Sequence, residues 1–199
     1  MEELFPGVET WSWYSEEKGM NFNGYLIGEG KERVVIDPPL MEIDDKQDLS
    51  INGVKAVILT NRDHIREAME CRTLLNTKIW VPEADAPEMG SITIDRVYKD
   101  GETLPAGLKV IGLSHGKSPG ESALYLDKLG GVLILGDALI GKPDGTLAMF
   151  PADKYADIKK AKEGLRRLLD FSFEVALVGD GKPILSGGKK AVEAFLNKN

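Results

Sequence analysis

The run VKAVILT (residues 54–60) is almost unbroken in its apolar character. A strand with one wet face alternates apolar and polar residues, whereas one that hardly alternates is covered on both sides. A chain carrying such a strand must therefore fold in layers, with apolar material packed above and below it. Immediately afterwards the sequence turns polar, as Asn61-Arg62-Asp63-His64. An imidazole beside a carboxylate at a strand end asks what other chemistry converges there.

The rest of the chain supplies candidates for the layers. Residues 8–14, 22–28 and 33–37 read as strands, rich in β-branched and aromatic residues and punctuated by glycine. Further strands are expected at 78–81, 92–98, 108–113, 122–126, 132–136 and 174–178. Helices are expected at 64–76, 155–169 and 188–197, the second with Ile158, Ala161, Leu165, Leu168 and Leu169 on one face. Strands on both sides of helices suggest two sheets with helices over their outer faces. The 199 residues suit a single domain, 1–199. Trp11, Trp13, Tyr14 and Phe22 are expected in the core, with a homodimer contact as the alternative.

Composition removes several classes of function. A net charge of −7 argues against nucleic acid as partner, because phosphates call for a basic face. The single cysteine, Cys71, allows no intramolecular disulfide and is expected as a buried thiol on a helix. No apolar run approaches the roughly 20 residues of a membrane span. The start, MEELFPGVETW, lacks the basic and apolar regions of a signal peptide, so a cytoplasmic protein is expected.

Polar residues gather after four of the expected strands. After 54–60 come Asn61, Arg62, Asp63 and His64; after 108–113 come Ser114 and His115, then Gly-Lys-Ser-Pro-Gly with Lys117 and Ser118. Asp137 follows 132–136, and Asp180 lies between two glycines after 174–178. Taken singly, each aspartate is a turn residue or a helix cap. Together, both histidines of the chain and three aspartates at strand ends make the ligand chemistry of zinc, iron or manganese. Glycines beside Asp137 and Asp180 permit close backbone approach.

These segments resemble the metallo-β-lactamase superfamily. NGYLI (23–27) and VVIDPP (34–39) look like its opening strands, and AVILTNRDH is similar to the strand and loop that read Thr-His-x-His-x-Asp-His. LSHGKSPGESALYL (113–126) resembles the Gly-His-Thr-x-Gly-Ser loop, VLILGDALI (132–140) the strand with the bridging aspartate, and ALVGDGKPI (176–184) the Gly-His-Gly segment. The resemblance implies a four-layer αββα sandwich of two mixed β-sheets flanked by helices, with the site along one edge. It also exposes departures: the leading histidines of the first motif are missing, and Asp180 replaces the last. A two-residue deletion would place Asn61 where the first histidine belongs.

Family ligand roles carry over to Asp63, His64, His115 and Asp137, with Asp180 as a substituted ligand. One family metal position keeps only His115 and Asp137; the other keeps Asp63, His64 and Asp137, with Asp180 in fourth place. The resemblance thus implies one divalent ion, if any, in an oxygen-rich set that leaves zinc, manganese and iron open. The implied activity is hydrolysis of a small ester, thioester, lactone or phosphoester by metal-activated water. Asp63 and His115 are its candidate catalytic residues, and Asn61, Arg62, Lys117 and Ser118 its candidate substrate contacts. The other reading is a domain that has lost its metal and serves in small-molecule binding or structure. A metal-free acid–base enzyme is a third. Residues 141–154 are expected to wall the pocket.

Overall fold

In the computed structural model, which describes residues 1–90 and 92–198, the apolar strand lies between two cores, as its composition requires. Ala56 and Ile58 face one cluster of buried side chains, while Val57 and Leu59 face another. The same division holds one strand away, with Val34 and Ile36 on one side and Val35 on the other.

The larger sheet has seven strands in sequence order: β1 (Glu2–Phe5), β2 (Val8–Ser15), β3 (Met20–Ile27), β4 (Val34–Ile36), β5 (Ala56–Ile58), β6 (Ile79–Pro82) and β7 (Arg96–Tyr98). Its first four strands pair antiparallel and its last four parallel. The second sheet takes β8 (Lys109–Gly112), β9 (Ser122–Leu126), β10 (Val132–Ile134) and β11 (Val175–Leu177) in the order β11-β10-β9-β8, with β10 and β11 parallel. Tyr25, Ile36, Ile58, Leu124 and Leu177 fill the space between the sheets. Helices α1 (Ile43–Asn52) and α2 (Ala68–Leu74) cover the outside of the first sheet through Leu49, Ala68 and Cys71. Helices α3 (Ile158–Gly164) and α4 (Gly188–Asn197) cover the second through Ala161, Val192 and Leu196. Three apolar interfaces between four layers make an αββα sandwich. No helix among the described residues is long and apolar enough to cross a membrane.

Several elements depart from the sequence expectation for local reasons. The helix expected at 64–76 begins only at Ala68, because Arg62–His64 form a 3-10 turn and Arg66 takes a left-handed φ of 38°. Helix α3 tightens after Gly164 into a 3-10 turn from Leu165 to Asp170. The strand expected at 92–98 is confined to Arg96–Tyr98. Two elements were not expected at all, the short β1 and α1; the latter buries only Leu49 and so shows no apolar periodicity. Trp11 and Cys71 are buried, but Trp13 and Tyr14, expected in the core, stand exposed near the end of β2, on its two opposite faces.

Candidate functional site

Four strand ends and one further loop deliver charged groups to one crevice. The β4 end supplies Asp37, the β5 end the 3-10 turn with His64, and the β10 and β11 ends Asp137 and Asp180. The loop between β8 and β9 adds Lys117. Glycines make the approach possible. A Cβ on Gly179 would lie 2.5 Å from the His64 ring, and one on Gly136 would strike the Thr60 hydroxyl.

His64 is the buried centre of this cluster. Its Nδ1 lies 2.9 Å from Asp37 Oδ2 and its Nε2 3.0 Å from Asp137 Oδ1. Both ring nitrogens lie beside carboxylate oxygens, which favours a doubly protonated ring, while the Arg66 guanidinium 3.1 Å from Nε2 opposes it. Burial alone would favour loss of the proton, but the Asp137 and Asp37 charges outweigh burial and Arg66, and the group is raised to about 10. Asp37 is held in turn by the Thr60 backbone N–H at 2.8 Å and the Thr60 hydroxyl at 2.6 Å.

Two further cations meet the remaining carboxylates. Lys117 Nζ donates to Asp137 Oδ2 at 2.6 Å and lies 3.2 Å from Asp63 Oδ2, with the Phe150 ring at 4.4 Å. Arg66 Nη2 donates to Asp180 Oδ1 at 2.7 Å, its Nη1 to the carbonyls of Asn23 and Asp37, and its guanidinium lies over the Phe22 ring. Burial would raise Asp137, yet His64 and Lys117 hold it well below the usual carboxylate range. At Asp180 burial wins over the charges of His64 and Arg66, and the group is raised.

A second, deeper layer lies below. Glu121 is buried; its Oε1 accepts from Asn61 Nδ2 at 3.3 Å, and its Oε2 has no partner. Burial and the Asp137 charge push Glu121 well above the ordinary glutamate range, against the opposing charges of His64 and Lys117. Asp85, also buried, fastens the two loops together. It accepts from the Arg62 N–H at 2.9 Å, the Ser118 hydroxyl at 2.7 Å and the Gly120 N–H at 2.7 Å. The open part of the site is a crevice of about 220 Å³ whose walls include Met20, Phe22, Asp63, Lys117 and Phe150.

The fold is that of a known class. A family model described as the metallo-beta-lactamase superfamily matches residues 2–198, and the chain belongs to that superfamily. Among solved structures it is similar to a metallo-beta-lactamase from Pontibacter korlensis, with a TM-score of 0.80 and 15% identity over 99% of this chain and 98% of that one. DIM-1 metallo-beta-lactamase gives 0.75 and 15% identity over 97% and 96%, and a metallo-beta-lactamase family protein from Thermus thermophilus gives 0.68 and 22% over 96% and 79%. No curated protein matches. Membership suggests a metal-dependent hydrolase, since the superfamily typically binds divalent metals. His64, Asp137 and Asp180 each offer a ligand atom, all within 4.8 Å of one another.

The donor set does not suit such an ion. The proposed nitrogen ligand donates both its ring positions to carboxylates, and Asp137 and Asp180 already hold a further cation each: Lys117 on Asp137 and Arg66 on Asp180. A divalent ion there would sit among an imidazolium, an ammonium and a guanidinium. Two unit charges about 4 Å apart repel by about 4 kcal/mol at an effective dielectric near 20, and a divalent ion doubles that for each neighbour.

Placement of the expected residues follows the same logic. His64, Asp137, Asp180, Asp63 and Lys117 line the crevice, with Phe150 from residues 141–154; Asp63, expected as a ligand, lies on Lys117 outside the group formed by His64, Asp137 and Asp180. His115 does not join them. It is exposed with φ 61° and lines a separate cleft with Lys160, Glu163 and Arg167. Asn61 is fully buried, its Oδ1 accepting the Asp63 N–H at 2.8 Å. Arg62 pairs with Glu88 at the surface, and Ser118 is turned inward to Asp85. Arg66, Asp37, Asp85 and Glu121 were not anticipated. A signal existed for the cations: without any deletion, Thr60–Arg66 overlies Thr-His-x-His-x-Asp-His, putting Arg66 on the last histidine. Gly116-Lys117-Ser118-Pro119-Gly120 likewise overlies Gly-His-Thr-x-Gly, putting Lys117 on its histidine. The contacts of Lys117 and Arg66 favour this ungapped register over the one that aligned His115 and Asp63-His64.

Proposed function

We propose that this chain is a metal-free member of its superfamily, whose crevice over Asp137 and Asp180 binds a small molecule. One observation carries the proposal: Lys117 and Arg66, at positions where the family motifs have histidine, hold the two carboxylates that a metal would need. Together with the His64 imidazolium they supply from within the chain the positive charge that a metal would bring. The aromatic walls and the shallow, open volume suit a small organic ligand rather than a macromolecule.

The alternative, a mononuclear hydrolase of small esters, thioesters, lactones or phosphoesters, is favoured by the closeness of the His64, Asp137 and Asp180 ligand atoms. The two are separated by metal analysis of protein purified without chelator, and by thermal melts with zinc, manganese or iron. The expected result is substoichiometric metal and an unchanged melting temperature. One equivalent of bound ion overturns the proposal, as does stabilisation approaching the roughly 2.7 kcal/mol due at a hundredfold excess over Kd.

A further inference from the structure

The two carboxylates on Lys117 are not equivalent. The Asp137 side chain is 2% exposed and the Asp63 side chain 48%. Asp137 is also fixed from its other oxygen by His64. Asp63 has no polar side-chain partner besides Lys117 among the described residues, at the longer distance of 3.2 Å. An exposed pair of this kind holds by about 0–1 kcal/mol. Lys117 therefore carries one permanent counterion below and one exchangeable counterion at the crevice mouth.

Resting on the small-molecule reading above, we infer that the crevice takes a small organic monoanion, whose carboxylate replaces Asp63 on the Lys117 ammonium. Withdrawal of Asp63 frees one positive charge, which matches one negative charge on the ligand; Lys18, which also lines the crevice, is paired with Glu17. A dianion would bring its surplus charge toward Asp137 and Asp180 and be repelled. Met20, Phe22 and Phe150 would cover the body of the acid, so an aromatic or branched acid fits better than acetate. Asp63 then acts as a built-in competitor for its own ligand site.

The test is calorimetric titration of the whole chain with acetate, benzoate, inorganic phosphate and benzamide. The chains compared are wild type, Asp63→Asn and Lys117→Met. Benzoate is expected to bind wild type more tightly than acetate or phosphate does. It should bind Asp63→Asn about three- to fivefold more tightly, the gain set by removing an exposed pair, and Lys117→Met should lose it. Asp63 is exposed, so its replacement leaves a folded protein even where Lys117→Met does not. Equal or weaker benzoate binding by Asp63→Asn overturns the exchange while leaving the crevice a small-molecule site. Binding of benzamide with no acid overturns the monoanion class alone. Absence of binding by every probe to wild type and Asp63→Asn overturns the inference and, with it, the small-molecule reading.

Discussion

The two histidines of this chain occupy opposite surroundings, although both follow strands and both looked like candidate ligands. His64 is sealed between Asp37 and Asp137, each within 3.0 Å of a ring nitrogen. His115 lies in solvent on a left-handed turn, with Lys160, Glu163 and Arg167 around its cleft. The difference comes from the loops. The turn after β5 folds inward, held by Asn61 capping Asp63 and by Asp85 on the Arg62 N–H. The loop after β8 turns outward at His115 and only then dives, so that Lys117 and not His115 reaches Asp137. Residue type nominates a site; the direction of the loop decides membership.

The largest effect expected from this contrast is on stability at His64. His64→Ala would leave Asp37 and Asp137 buried and facing a vacated space. Removing one partner of a buried ionic network costs about 3–5 kcal/mol. A denaturant melt should show that loss, while Arg66 and Lys117 can compensate only in part. A change below about 1 kcal/mol would break the contrast by showing that His64 is no more coupled to the fold than a surface residue.

The same surroundings set a pH dependence. The folded pKa of His64, about 10, lies above its ordinary value of 6.5, so its contribution is present in full below 6.5 and lost as pH rises through about 10. Its ring should show no titration by NMR between about pH 6.5 and 8. Glu121 works in the same direction from a lower starting point. Because its folded pKa is raised, stability falls as pH rises above its ordinary value of 4.5. Glu121→Gln keeps an acceptor for Asn61 and removes the titration. It should raise the melting temperature by a few degrees near pH 8, on the order of 1 kcal/mol, with the advantage shrinking toward about pH 4. An equal gain at both pH values would show that packing and not charge is responsible.

The layers were legible from sequence wherever burial leaves a pattern. VKAVILT could only be a strand covered on both sides, and Leu165 and Leu168 marked a helical face. Where burial is slight the pattern vanishes: α1 buries one leucine in ten residues and went unseen. The site was half legible. Asp137 and Asp180 stood out because glycines flank them. Lys117 and Arg66 did not, since a loop lysine or a helical arginine reads as solvated until the carboxylate it serves is known. Asp37 lies 27 residues from His64, Glu121 60 from Asn61, and no local signal links them. Long-range pairing of charge is invisible to periodicity, and the most conspicuous residue, a histidine, drew the register away from the lysine two positions on.

The smallest effect belongs to His115, and it is the sharpest check on the comparison. With φ at 61°, an L residue there carries left-handed strain of about 1–2 kcal/mol, which histidine tolerates better than most. Glycine relieves the strain but gains freedom in the unfolded chain, worth about 0.4–1 kcal/mol against it. His115→Gly should therefore shift stability by less than about 1 kcal/mol, in the stabilising direction, and His115→Ala, which keeps the strained Cβ, should not stabilise. Both should leave the NMR signals of His64 and Lys117 where they are in wild type. Perturbation of those signals, or a loss of several kcal/mol, would mean that His115 is coupled to the crevice after all and that the two loops do not divide the work as their directions suggest.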